Sequence, residues 1–159
     1  MIMAITSLGP NEKNFETDRI KLLASIDSSV YTYKISTNSV PITAFEIPQY
    51  ACYNFKAPKD WQITVQQGIF HAEASTASTT LKEYQDGRFS LRVSSAGAVL
   101  GSKTAKVWFA DGTSQTIANV WAPVPEQKIN LVVVTISVLV LIVFETWRVS
   151  RFKTHSMEI

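Results

Sequence analysis

The sequence predicts a mainly β protein: an antiparallel β-sandwich or jelly-roll-like head followed by one C-terminal transmembrane α-helix. Three observations carry this. Short runs of alternating apolar and polar residues recur from residue 30 to residue 120, bounded by turn-forming residues. Two Asp-Gly pairs, Asp86-Gly87 and Asp111-Gly112, each separate two such runs. Residues 129–144 read INLVVVTISVLVLIVF, sixteen positions without a charge, a proline or a glycine.

Taken in order, residues 1–18 read as a flexible N-terminal arm. Gly9-Pro10-Asn11 is a turn signal, and NEKNFETD is polar with a single aromatic. The head spans 19–121. In its first segment, RIKLLASI, Ile20, Leu22, Ala24 and Ile26 alternate as in a strand. Phe15, Leu22, Leu23 and Ile26 would share a helical face, so strand is the choice only because the segments after residue 30 are β in pattern. VYTYKIS sets Tyr31, Tyr33 and Ile35 on one face against Thr32, Lys34 and Ser36 on the other. ITAFEI and YACYNF come next, separated by Pro48, and WQITVQQ then sends Trp61, Ile63 and Val65 one way. Gly68 ends that run before IFHAEA, and STASTT over 75–80 reads as a polar loop.

Two-residue type I′ hairpin turns are expected at both Asp-Gly pairs. The first would join 81–85 to 88–94, with Phe89, Leu91 and Val93 inward; the second would join 106–110 to 113–120. Between them SSAGAVLGSK is rich in small residues and could carry the chain from one sheet to the other. Nine to eleven short strands at this spacing, without a long internal repeat, are the pattern of a sandwich or jelly roll. Residues 122–128 read as a proline-containing spacer, because Pro123 and Pro125 cannot donate to a ladder.

The uncharged run organises the C-terminal part. As a helix it rises about 24 Å, short of the roughly 30 Å hydrocarbon core of a bilayer, so its flanks must contribute. The membrane anchor is therefore expected over 129–147. Ile129, Leu131, Val134, Leu139, Leu141 and Phe144 face lipid, Trp121 and Trp147 sit as interfacial aromatics, and Lys128 and Arg148 snorkel. A buried strand pair or core helix is the competing reading. It is disfavoured because an unbroken apolar run cannot alternate into a half-buried pattern. Residues 148–159 form a short basic tail. Arg148, Arg151 and Lys153 act as a stop-transfer collar in the plainer reading, or touch phosphates of lipid or nucleic acid in the sharper one.

Composition limits the chemistry. The 159 residues carry a net charge of +2, and twelve basic against eleven acidic side chains precede residue 129. Such a head has no basic face for nucleic acid. Cys52 is the single cysteine, so the chain forms no internal disulfide and no cysteine cluster for a metal, and a reducing compartment or a bridge-free fold is expected. The sequence lacks an Asn-x-Ser/Thr acceptor. His71, with Glu73 two residues on, is more readily a structural or surface histidine than a metal ligand. Gly97, Gly101 and Lys103 in AGAVLGSK miss the phosphate-loop spacing. Tyr50, Tyr53 and Phe55 are better read as core and sheet-face residues than as a base-stacking platform. No catalytic, cofactor or metal site is expected, and no small-molecule substrate.

Topology adds a conflict. MIMAITSLGP lacks the basic region and apolar stretch of a secretory signal, which leaves the head in the cytoplasm. The positive-inside rule places the basic tail there instead. A tail anchor inserted after synthesis resolves this, and a virus that wraps a membrane inside its capsid is a specific version. The expected function is a non-enzymatic membrane-anchored structural protein whose head docks onto a larger assembly. An accessory subunit of a membrane enzyme complex and a ligand-binding ectodomain are the alternatives.

Overall fold

The computed structural model describes residues 4–9 (backbone), 11–94, 97–126 and 140–144, in two units, 1–126 and 127–159. The first unit is built of β1 (Ala4–Gly9), β2 (Glu12–Glu16), β3 (Ile20–Asp27), β4 (Val30–Thr37), β5 (Ile42–Pro48), β6 (Cys52–Lys56), β7 (Trp61–Gln66), β8 (Ile69–Ala74), β9 (Gly87–Val93), β10 (Ala98–Phe109) and β11 (Ser114–Pro125). They form two antiparallel sheets, ordered β1-β2-β3-β4-β9-β6 and β11-β10-β5-β8-β7.

Period-two alternation decides which side chains enter the core. On the six-stranded sheet Leu22, Ala24, Tyr31, Tyr33, Ile35, Phe89 and Leu91 are buried, while their even- or odd-numbered neighbours along each strand are more open. The five-stranded sheet contributes Phe45, Ile47, Phe70, Ala72, Ala105, Val107 and Ile117. The facing aromatics pack edge to face or tilted: Tyr33 and Phe45 have centroids 5.6 Å apart, Phe45 and Phe89 4.9 Å, Trp61 and Phe89 5.2 Å. Their polar tips are satisfied. Tyr33 Oη donates to the Trp121 carbonyl at 2.9 Å, and Trp61 Nε1 to the Thr79 carbonyl at 2.8 Å. Burial accordingly holds the Tyr33 phenol well above its ordinary range.

Four sequence expectations are corrected. Residues 12–16 are not part of a loose arm: they are β2, with Phe15 fully buried opposite Leu22. Burying that one aromatic outweighs the polarity of its neighbours: Glu12 and Glu16 are exposed, and Lys13 lies over the Phe15 ring with Nζ 5.0 Å from its centroid. Residues 81–85 are not a strand. Leu81 makes a single bridge to Ile42, Tyr84 takes a left-handed φ of 60°, and Gly87 lies inside β9. Asp111-Gly112 does turn the chain, but only Gly112 has positive φ, at 79°. Gly112 N–H donates to the Phe109 carbonyl and Phe109 N–H to the Thr113 carbonyl, both at 3.0 Å, a three-residue loop with a glycine bulge rather than a type I′ turn. The type I′ signature, positive φ at both positions, falls at Gln67 (50°) and Gly68 (75°) between β7 and β8.

The fourth correction concerns the spacer. Residues 122–125 continue β11, paired with Ala98 to Gly101, and Glu126 N–H still donates to the Gly97 carbonyl at 2.8 Å. That bond fixes the phase: the N–H positions of Ala122 and Val124 face β10, and those of Pro123 and Pro125 face the open side. β11 is an edge strand, so two prolines at alternate positions cost the ladder nothing. Trp121, expected at a membrane interface, is half-buried on β11 and packed against the core. A bulge sets Ala118 and Asn119 opposite Thr104, with Asn119 at φ 60°, so Ile117 and Val120 are both buried although three apart.

In the second unit the described residues 140–144 are helical, and Leu141 and Phe144 are exposed. Among the described residues no helix is long and apolar enough to cross a membrane. Most of the anchor lies outside the described residues: Lys128, Ile129, Leu131, Val134, Leu139 and Trp147, as do Arg148, Arg151 and Lys153 of the tail.

Candidate functional site: the outer face of the five-stranded sheet

The register of the five-stranded sheet lines up one side chain from every strand. Thr64 stands opposite His71, His71 opposite Glu46, Glu46 opposite Lys106, and Lys106 opposite Thr116. A second row runs beside it through Gln62, Glu73, Ala44, Trp108 and Ser114. These are the residues that alternate away from Phe45, Phe70 and Val107, so the burial that builds the core also builds this face.

Within the rows neighbouring side chains touch. His71 Nδ1 lies 3.4 Å from Glu46 Oε2, and its Nε2 lies 3.8 Å from Glu73 Oε2. The Trp108 ring meets His71 edge to face at 5.6 Å, and Lys106 Nζ sits 4.5 Å from its centroid. Ala44 between Glu73 and Trp108 is small, which leaves space for the indole to lie across the strands. An open depression of about 350 Å³ adjoins the rows, lined by Glu46, Thr64, Gln66, Gln67, Ile69 and His71.

The two carboxylates address opposite nitrogens of the His71 ring and therefore do not converge on a point. Among the described residues no three His, Cys, Asp or Glu side chains could hold a metal ion. The arrangement suits recognition: a firm sheet surface offering an indole, an ammonium, an imidazole and amides at fixed strand spacing. His71 and Glu73 stand out in the sequence itself. Glu46, Lys106 and Trp108 do not, although Glu46 is the one charge within ITAFEI and thus marks the solvent side of its strand.

A second opening, about 390 Å³, lies at the end of the sandwich where β11 finishes. Ile26, Tyr31, Val93, Leu100 and Trp121 line it, with Ser28 and Ser29 at the rim. Nearby Cys52 is half-buried, its thiol pushed up to about 11 by burial, so it is a poor nucleophile at neutral pH.

No family model matches the chain. No curated protein matches it either. Among solved structures, an uncharacterized protein from Nocardia farcinica, described as having an immunoglobulin-like fold, aligns with a TM-score of 0.44 at 15% identity. The alignment covers 78% of this chain and 98% of that one.

Proposed function

We propose that the chain is a non-enzymatic, membrane-anchored docking protein. Its sandwich presents the outer face of the five-stranded sheet to a larger protein assembly, and residues 129–147 hold it to a bilayer. A shell built over a membrane, such as a viral capsid, is the specific form of assembly this reading favours. The observation that carries it is the row of Thr64, His71, Glu46, Lys106 and Thr116, which runs across every strand of one sheet. Glu46 contacts His71 and Lys106 lies over Trp108, so these side chains are held before a partner arrives and little ordering entropy is lost on docking. The sequence supports the anchor: between Glu126, the last of the described residues hydrogen-bonded into the sheet, and the uncharged run stand only Gln127 and Lys128.

Two measurements on the full chain test this. Vesicle flotation after alkaline and high-salt washing should retain the protein, and Val134→Arg with Leu139→Arg should release it, each arginine costing about 2.5–3.5 kcal/mol at a helix centre. In mild detergent the protein should sediment with a large assembly, and Lys106→Glu with Trp108→Ala should free it. A wild-type protein that washes off vesicles, or that sediments only as dispersed single chains, would overturn the proposal.

A further inference from the structure

A sheet edge exposes unpaired N–H and C=O groups, and folded proteins usually obstruct it. Among the described residues the two sheets have four edges, and three of them are obstructed. β11 carries Pro123, Pro125 and the Asn119 bulge; β6 breaks register between Tyr53 and Lys56, with Asn54 at φ 54°; β1 shifts register between Thr6 and Gly9. β7 has none of these devices. It pairs with β8 in six consecutive positions without a shift, and Trp61–Gln66 contains no charge and no proline.

The phase of β7 is known. Ser75 N–H donates to the Asp60 carbonyl at 3.2 Å, so even-numbered residues of β7 turn their backbone groups toward β8. Ile63 and Val65 therefore direct theirs to the open edge. Both side chains are also more than a third exposed, at 38% and 39%, although their partners Ala72 and Phe70 are buried.

The sequence Gln62-Ile63-Thr64-Val65-Gln66 reads nearly the same in both directions. We infer that β7 pairs antiparallel with β7 of a second copy, about a twofold axis at Thr64. Thr64 then meets Thr64, Ile63 meets Val65, and Gln62 meets Gln66. Every contact joins like chemistry: hydroxyl with hydroxyl, β-branched with β-branched, amide with amide. Odd positions meet odd positions, so Ile63 and the second copy's Val65 exchange backbone hydrogen bonds on each side of the axis. A twofold interface requires such self-matching, and no charge on this strand opposes it. The two five-stranded sheets become one continuous sheet, and their Thr64–His71–Glu46–Lys106–Thr116 rows join end to end. A six-residue edge is a small interface, below the roughly 1,200 Å² of stable complexes, so the association is concentration-dependent.

The experiment is sedimentation of the full-length protein in detergent, from about ten to several hundred micromolar, with cysteine cross-linking beside it. Thr64 is exposed on the outer face, so Thr64→Lys leaves the monomer fold in place, which circular dichroism verifies. Wild type should move toward twice the single-chain mass over this range, and Thr64→Lys, which sets two ammonium groups opposite each other, should weaken association at least tenfold. In a Cys52→Ala background, Thr64→Cys should form a disulfide-linked dimer under mild oxidation. The pair at the axis is about 4.5 Å apart between Cα atoms, within disulfide reach. Gln62→Cys alone should not link, because it faces Gln66. A wild type that stays single throughout, a Thr64→Lys that associates as wild type does, or Gln62→Cys linking as readily as Thr64→Cys would each overturn the inference.

Discussion

Asp86-Gly87 and Asp111-Gly112 are the same two letters in similar surroundings, yet one turns the chain and the other does not. Gly112 takes φ 79° in open space, with nothing within 4 Å of where a Cβ would stand. Gly87 is buried in β9, and a Cβ there would lie 2.1 Å from Leu81 Cδ1. The first glycine is needed for its backbone, the second for its missing side chain. Leu81 itself is only 2% exposed and its backbone bridges to Ile42 of β5, so its side chain is held in the core. Core volume, a long-range property, thus overrode a local turn signal.

The comparison can be broken by substitution. The largest effect is expected at the buried pair. Leu81→Ala should cost about 2–5 kcal/mol, and Gly87→Ala about 1–3 kcal/mol through overpacking. The double variant, read by urea denaturation, should cost clearly less than the sum, since each change makes room for the other. Full additivity would mean that Leu81 does not set the glycine at 87.

A smaller loss is expected at the turn. Gly112→Ala should cost about 1–2 kcal/mol from the left-handed backbone alone, and Gly112→Asn less, because asparagine tolerates that region. Equal losses for the two substitutions would remove the backbone explanation.

The smallest effect is electrostatic. The side-chain and backbone hydrogen bonds from Thr113, with Arg19 at 2.7 Å, hold the Asp111 carboxyl at about 2, below its ordinary value. A lowered folded value means that Asp111 contributes stability above the unfolded value near 4, and that this fades as pH falls toward 2. The group is solvent-exposed, so the change in stability is slight. A carboxyl titration followed by NMR should place the Asp111 midpoint near 2, and a midpoint near 4 would remove the hydrogen-bond explanation.

The alternating strands were legible because each buries one face. Tyr31-Tyr33-Ile35 and Phe89-Leu91-Val93 carry their orientation in plain period-two spacing. β2 was hidden because Phe15 alone enters the core and a single apolar residue has no period. β11 was cut short because proline usually excludes a strand, and whether a strand is an edge is not written in its own residues. The outer-face rows were hidden for a related reason. Glu46 and Lys106 are sixty positions apart in the sequence, and register alone sets them side by side.

The pairing that persists to Glu126 bears on how the sandwich can be separated from the rest of the chain. A fragment ended at residue 121, where the proline pattern invites a cut, would discard Ala122 and Pro123, both shielded from solvent, and strip the partner from the first four residues of β10. Leu100, already half open, would then border a newly bared strand next to Tyr31 and Val93. The natural place to sever the polypeptide is after Glu126.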